Sequence, residues 1–277
     1  MENFKHFIVT RFNLRTSNNK WNKDKNINRT IDNSWMLYRI NIFNQYCLPS
    51  VLNQSCENFT WIICLDIETD EKFRPFFHTL SQKYSFIVPL YIDGMQNLNS
   101  KYKEYIINQL GNEKYIITSR LDNDDILHRD YIKKIQEQFD FQKYQAVNFL
   151  KILMISPENK NKIHIDYSFS NHFISLIEEI NENTFKGCYS KRDRHWNIKG
   201  EITQIIDKPY VAETIHDRNL LNQFRGFPVL KKMNLKAFAI EETYKTKILD
   251  KDNFKLHKMS WGKLAIYLKL CITISLQ

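Results

Sequence analysis

Glycine and proline are scarce, six of each in 277 residues, so low-complexity architectures are excluded. The five cysteines, Cys47, Cys56, Cys64, Cys188 and Cys271, include no Cys-x-x-Cys pair, and Cys64 lies inside an apolar run. Buried or incidental thiols in a reducing compartment fit this spacing better than a disulfide framework or a zinc site. No Gly-x-x-x-x-Gly-Lys phosphate loop occurs, and there is no internal repeat. The start, Met-Glu-Asn-Phe-Lys-His, lacks the long apolar region and cleavage site of a secretory signal, which makes the cytoplasm the expected location. What the chain has instead is 43% hydrophobic and 14% aromatic residues, enough for a substantial core in one large domain with or without an appendage. Its net charge of +9 points to an anionic partner. The lysines are densest near the C-terminus, where Lys251, Lys255, Lys258, Lys263 and Lys269 face only Asp252.

The most informative stretch is Tyr115 to Asp125, in which an apolar run feeds into three carboxylates. Tyr115-Ile116-Ile117-Thr118 is short and β-branched and reads as a strand buried on both faces. Asp122, Asp124 and Asp125 follow at its C-terminal end, where open α/β sheets place ligands. Three clustered carboxylates repel one another and are best tolerated around a hard divalent cation. An acidic loop or a helix N-cap is the competing reading, because Asp124 and Asp125 precede a helix-like Tyr131–Phe139.

Around this stretch strands and helices alternate. His6–Thr10 reads as the opening strand and runs into Arg11, Phe12 and Asn13; Arg11 there is a phosphate or carboxylate ligand or an ordinary loop cation. A polar loop over 16–34 gives way to helical spacing at Met36, Ile40, Phe43 and Cys47, with Pro49 expected to stop the helix. Phe59–Asp66 is a second strand ending in a carboxylate, placed to bind a base or ribose or to cap a turn. Lys72–Tyr84 is helix-like, Phe86–Tyr91 is a strand whose Pro89 favours an edge, and Tyr102–Leu110 is another helix ended by Gly111-Asn112. Such alternation implies a mostly parallel, helix-covered sheet. Beyond residue 140, Ala146–Ile155 and Lys162–Phe169 are expected to pair as an antiparallel hairpin across Ser156–Asn161. Phe173–Glu179 is an apolar patch ending in acids, and Pro209–His216 is a short β-like run that delivers a histidine, structural or metal-ligating, at its end. The tail from Lys258 to Leu276 is too interrupted for the ~20 residues of a transmembrane helix. It reads as an interfacial membrane helix or as a terminal helix docked on the domain.

Several pieces together resemble the GT-A class of nucleotide-sugar glycosyltransferases and, more narrowly, the bacterial putative rhamnosyltransferase family. They are Thr10-Arg11-Phe12-Asn13, Arg39–Phe43 with Cys47-Leu48-Pro49-Ser50 and Asn53-Gln54-Ser55, Phe59-Thr60-Trp61, Ser119–Asp125, Phe173–Glu178 and Ile215–Asn219, spanning most of 7–220. Tyr210 stands where the pattern has tryptophan and Asp217 where it has glycine. The resemblance implies a GT-A-like α/β fold: a mostly parallel Rossmann-like sheet with helices on both faces, a smaller antiparallel hairpin region and a C-terminal helical segment. It implies a catalytic domain over 1–250, with 1–140 the nucleotide-binding half and 141–250 the acceptor-binding half, followed by a basic amphipathic segment at 251–277. The implied reaction moves a sugar from a UDP- or dTDP-sugar to a glycan or glycolipid hydroxyl in bacterial surface polysaccharide synthesis, with inversion. It takes place in the cytoplasm or at the inner face of the membrane through the C-terminal segment, without nucleic acid. Mn²⁺ or Mg²⁺ held by Asp122 or Asp124, with His216 as a further ligand, would neutralise the diphosphate leaving group. Thr10, Arg11, Asn13, Arg39, Arg120, Asp122 and Asn123 would contact the donor, and Asp66 its base or ribose. Glu178 is the implied general base, with Glu179 or Asp125 as alternates. A nucleotidyl- or phosphotransferase would also suit an acid cluster, and a basic nucleic-acid-binding protein would suit the charge, but three aspartates at a strand end repel phosphates unless metal-bound.

Overall fold

The computed structural model describes residues 3–16, 32–190, 202–219, 222–241 and 243–244. The early strands are apolar on both faces because each face receives its own helices. In β1 (Phe4–Arg11) Phe4 and Ile8 join Trp61, Ile63 and Leu65 of β2 (Thr60–Asp66) in one core, while Phe7 and Val9 join Ile62 and Cys64 in another. The first core is closed by α1 (Asn33–Ile42), α2 (Leu48–Leu52), α3 (Arg74–Lys83) and α5 (Tyr131–Gln136), which contribute Trp35, Met36, Val51, Phe77, Leu80 and Ile132. The second is closed by Leu98, Tyr102 and Ile106 of α4 (Leu98–Gln109) with Phe185 and Cys188.

The remaining strands are β3 (Ile87–Ile92), β4 (Tyr115–Arg120), β5 (Ile126–Leu127), β6 (Tyr144–Phe149), β7 (Lys151–Ile155), β8 (Ile163–Tyr167), β9 (Ser175–Glu179), β10 (Ile202–Ile205), β11 (Val211–Thr214), β12 (Phe227–Pro228) and the separate pair β13 (Met233–Asn234) and β14 (Thr243–Tyr244). With β1 and β2, five of them form the seven-stranded central sheet in the order β10-β6-β9-β4-β1-β2-β3. Every pairing is parallel except the two made by β9, which runs against both β4 and β6. β3 is the edge, the place where Pro89 costs no ladder bond. Strands from both sides of residue 140 share this sheet. This is the expected α/β architecture with a mostly parallel central sheet.

A second sheet, β12-β8-β7-β11-β5, packs its own small core of Leu153, Ile155, Ile163, Ala212, Phe238 and Ile240. The acidic residues 122–125 span the step from β4 in one sheet to β5 in the other. Because β11 pairs antiparallel to β5, with Ala212 opposite Ile126, the chain after Ala212 runs back along the acidic turn. Thr214 fixes that approach by donating its hydroxyl to the Asp124 carbonyl at 2.8 Å.

Two expectations are corrected. Pro49 does not end the helix, which continues from α1 through a π-helical turn at Phe43–Cys47 into α2 with the proline in its first turn. The Leu48 N–H bonds the Phe43 carbonyl, five residues back, and this widened turn accommodates a residue that has no N–H to offer. The run 146–155 is not one hairpin arm. It divides at Leu150, leaving β6 in the central sheet while β7 crosses to pair with β8 around the expected Ser156–Asn161 turn. Both segments are buried, so apolar periodicity carries no mark of the break. The tail at 251–277 and its two readings lie outside the described residues.

Candidate active site

Three arginines from three elements converge on the acidic turn. At Asp122, Arg120 N–H groups donate at 3.0 and 3.3 Å and Arg11 Nε lies at 3.4 Å. Burial pushes this carboxyl up, but Arg120, Arg11 and His172 outweigh it and hold Asp122 well below the usual range. Arg120 in turn lies over the Tyr189 ring, 5.1 Å from its centre. Arg39, from α1, pairs with Asp124 and donates to the Asn123 side-chain oxygen at 3.1 Å. The Asn123 amide reaches the Phe12 carbonyl at 2.9 Å, tying the turn to the end of β1. His216 Nε2 stands 3.1 Å from Asp124 Oδ2, and the Asn219 amide lies 3.2 Å from that oxygen. Against the opposing effect of burial, Arg39 and then His216 lower Asp124 to about 2.

Asp125 differs from its neighbours in having no arginine partner among the described residues. Its Oδ2 lies 2.8 Å from His172 Nε2, while Oδ1 is buried without a partner among the described residues. Burial drives its pKa up to about 7 against the pull of His172, with Asp124 and Asp122 adding to the rise. Burial would lower the His172 imidazole, yet the bond to Asp125 and the charges of Asp125, Glu213 and Asp122 raise it. His172 Nδ1 is 3.6 Å from Glu213 Oε1, so the ring bridges two carboxylates. Arg225 donates to the same Glu213 oxygen, Oε1, at 2.7 Å and to Asp166 at 2.8 Å.

The structure thus brings together Arg11, Arg39, Arg120, Asp122, Asn123, Asp124, Asp125 and His216. Four other expected residues lie elsewhere or are occupied. Thr10 is fully buried and accepts the Trp61 indole N–H at 2.9 Å. Asn13 clamps β1 to β2, donating to Thr69 at 3.0 Å and accepting the Asp66 N–H at 3.1 Å. Asp66 is not free for a base or ribose: it accepts from the backbone and guanidinium of Arg15, each at 2.9 Å, and from Glu68 N–H at 3.0 Å. Glu178 is the clearest displacement. It pairs in register with Ile116, four residues before the end of β4 and so roughly 13 Å from it. Its two oxygens accept the N–H groups of Lys186 and Gly187, both at 2.8 Å. Since β9 is antiparallel to β4, its start rather than its end reaches the acidic turn, and the residue delivered there is His172. Sequence reasoning missed His172, Glu213, Asn219 and Arg225; a histidine just before the Phe173–Glu178 piece was the signal for the first.

Two arrangements here can receive a divalent ion. Asp124 and His216 face each other, and His216 Nδ1 is a further buried atom without a partner among the described residues. Asp122, Asp125 and His172 each offer a ligand atom, all within 4.8 Å of one another. Oxygen-rich donors with one imidazole suit Mg²⁺ or Mn²⁺.

The sequence model of the family described as "Putative rhamnosyl transferase" matches residues 5–226. The chain belongs to this family. Among solved structures, TarS 1–349 of S. aureus is similar at 11% identity and TM-score 0.43, covering 76% of this chain and 60% of that one. The same protein with UDP-GlcNAc gives 11% identity and TM-score 0.40 over 78% and 60%. The inositol-1-phosphate CTP transferase of T. maritima gives 10% and 0.31 over 77% and 85%. The chain therefore spans less than two thirds of the TarS chain's length. No curated protein matches it. The matched segment contains the acidic turn, His172 and His216.

Proposed function

We propose that this protein is a metal-dependent glycosyltransferase that moves a sugar, with inversion, from a UDP- or dTDP-sugar to a hydroxyl of a glycan or glycolipid acceptor during surface polysaccharide synthesis. The observation that carries this reading is Asp125: a buried carboxylate at the C-terminal end of β4, oriented by His172 through one oxygen and with the other unpartnered among the described residues. Asp124 and His216 would hold Mn²⁺ or Mg²⁺, which would supply positive charge to the departing diphosphate. Arg11, part-exposed beside Asp122, is the cation available to the diphosphate, while the less exposed Arg120 keeps Asp122 in place. Asp125 Oδ1 accepts the proton of the attacking hydroxyl as the new glycosidic bond forms and the bond to the diphosphate breaks, and His172 orients the carboxyl group through Oδ2. Residues 1–140 supply the nucleotide side and 141–250 the acceptor side.

The test begins with UDP and dTDP. Either one raises the melting temperature only with Mg²⁺ or Mn²⁺ present, because a ligand of the native state stabilises by mass action; an equal rise in excess chelator counts against a metal-bridged diphosphate. Asp124→Asn and His216→Asn lose this metal-dependent rise. Asp125→Asn keeps it and lowers transfer ~10²–10⁴-fold, the usual range for a lost general base. The second metal arrangement is favoured by the short mutual distances of Asp122, Asp125 and His172, and predicts the reverse: Asp125→Asn and His172→Asn abolish the metal-dependent rise. With a base near pH 7, transfer climbs as pH rises through that value and levels off above it.

A further inference from the structure

Three buried atoms near the acidic turn share one deficiency. Asp125 Oδ1, Glu213 Oε2 and His164 Nε2 have no partner among the described residues, although Asp125 and Glu213 are each 1% exposed and His164 6%. All three are acceptors. The carboxylate oxygens are so by nature, and His164 Nδ1 lies 3.1 Å from the Arg225 carbonyl, to which it can only donate, leaving Nε2 as the bare nitrogen. Burial lowers the His164 pKa and keeps that ring neutral. What the cluster lacks is hydrogen rather than charge, for Glu213 and Asp166 already face Arg225, and Asp125 faces His172.

The sheet register explains why these atoms share a surface. Glu213 of β11 is opposite Met154 of β7, which is opposite His164 of β8, so the three side chains form a row on the face of the second sheet turned from its small apolar core. Arg225 lies across the row, its N–H 3.4 Å from Met154 Sδ and its guanidinium on Glu213 and Asp166. Gly226 makes this approach possible: at φ +71° a Cβ there would lie 2.2 Å from the Ile165 carbonyl oxygen.

We infer that Glu213, fixed by Arg225 and joined through His172 to Asp125, is a hydroxyl-binding residue for a sugar ring. Resting on the glycosyltransferase reading above, the assignment places one ring hydroxyl on Glu213 Oε2 beside the site where Asp125 takes the reacting proton. The ligand class is a neutral polyol, which donates hydrogen bonds without adding charge to a nearly balanced cluster. Either the donor's sugar or the acceptor's ring offers this chemistry, and the experiment separates them.

Glu213→Gln keeps the shape and an oxygen for Arg225 but loses the charged acceptor; Glu213→Asp serves as the second variant if the first does not fold. Each is compared with the wild-type full chain for binding of UDP and dTDP, binding of UDP-glucose and dTDP-rhamnose, and transfer to a panel of methyl glycosides and their monodeoxy forms, all with Mn²⁺. UDP and dTDP bind unchanged. On the acceptor side, KM for the glycoside used rises ~10-fold or more, the size of a lost charge-assisted bond, and one monodeoxy glycoside that is poor for wild type is no worse for the variant. On the donor side, the sugar nucleotides alone lose affinity by a similar factor while acceptor KM holds. A folded variant with both sets unchanged overturns the inference and leaves Glu213 as an anchor for Arg225. Wild type that binds UDP or dTDP but gains nothing from any sugar also overturns it. Wild type that binds neither nucleotide nor sugar defeats the glycosyltransferase reading itself and the inference with it.

Discussion

His6 sits 1% exposed in the first core, with Nε2 2.8 Å from Ser119 Oγ, which is 2.6 Å from Ser175 Oγ. Burial lowers its pKa from 6.5 to about 3, so the folded chain keeps it neutral where the unfolded chain protonates it. The unfolded state thus binds the extra proton between those values, and stability falls as pH drops from about 6.5 toward 3 at up to ~1.4 kcal/mol per pH unit. Burial lowers His128 to about 4, which adds a loss of the same sign. Denaturant midpoints measured from pH 7 to 4 should fall steeply, and His6→Gln should remove about one proton from that dependence; an unchanged slope places the titration elsewhere. The three aspartates make a similar point for function. They are adjacent in the chain, so their clustering was legible in the sequence, whereas what distinguishes them was not. Arg11, Arg120 and Arg39 come from β1, β4 and α1, and only the folded sheet shows that they neutralise Asp122 and Asp124 and leave Asp125 to His172.

At the level of elements, apolar runs gave the strands before residue 140 because a doubly buried parallel strand writes itself as a continuous hydrophobic segment. Strand direction leaves no such trace. The apolar patch Phe173–Glu179 ends in the acid that the resemblance implies as general base, and the antiparallel pairing of β9 sends that acid to the opposite end. Glu178 there receives two backbone N–H groups from the 186–187 turn, where Gly187 at φ +74° packs on the Tyr102 hydroxyl. Glu178→Gln should cost ~1–3 kcal/mol by weakening these bonds, with activity per folded molecule nearly unchanged. Thermal melts beside specific activity decide this, and a large loss of activity at unchanged stability would return Glu178 to the chemistry. Gly226 is the corresponding point on the second sheet. Gly226→Ala meets backbone at 2.2 Å and should cost at least ~1–3 kcal/mol, lifting Arg225 from Glu213 and Asp166. Pro49 was misread for a related reason: a π turn is invisible to a rule about α-helices.

For the whole molecule, among the described residues no helix is long and apolar enough to cross a membrane. The two sheets meet at the acidic turn, so the site depends on their mutual placement. The central sheet is also joined in an uneven way. β4-β1-β2-β3 form one parallel block and β10-β6 another, and the ladder bonds between them all pass through β9. That arrangement has a consequence for the order of folding. The first block comes from residues 4–120 and can assemble as soon as they are available, whereas β9 must wait until β6, the β7–β8 hairpin and the turn at 168–174 have been laid down. Docking of β9 then joins the blocks and, in the same movement, carries His172 to Asp125. Leu176→Ala, at a side chain 1% exposed in that strand, should cost ~2–5 kcal/mol and release the amides of β6 and β10 to hydrogen exchange before those of β1 and β2. Simultaneous release would mean that the sheet opens as one unit. In staged opening, the species lacking β9 keeps the parallel strands β1 to β4 but has lost the orienting partner of Asp125, so one docked strand governs both the continuity of the sheet and the setting of that carboxylate.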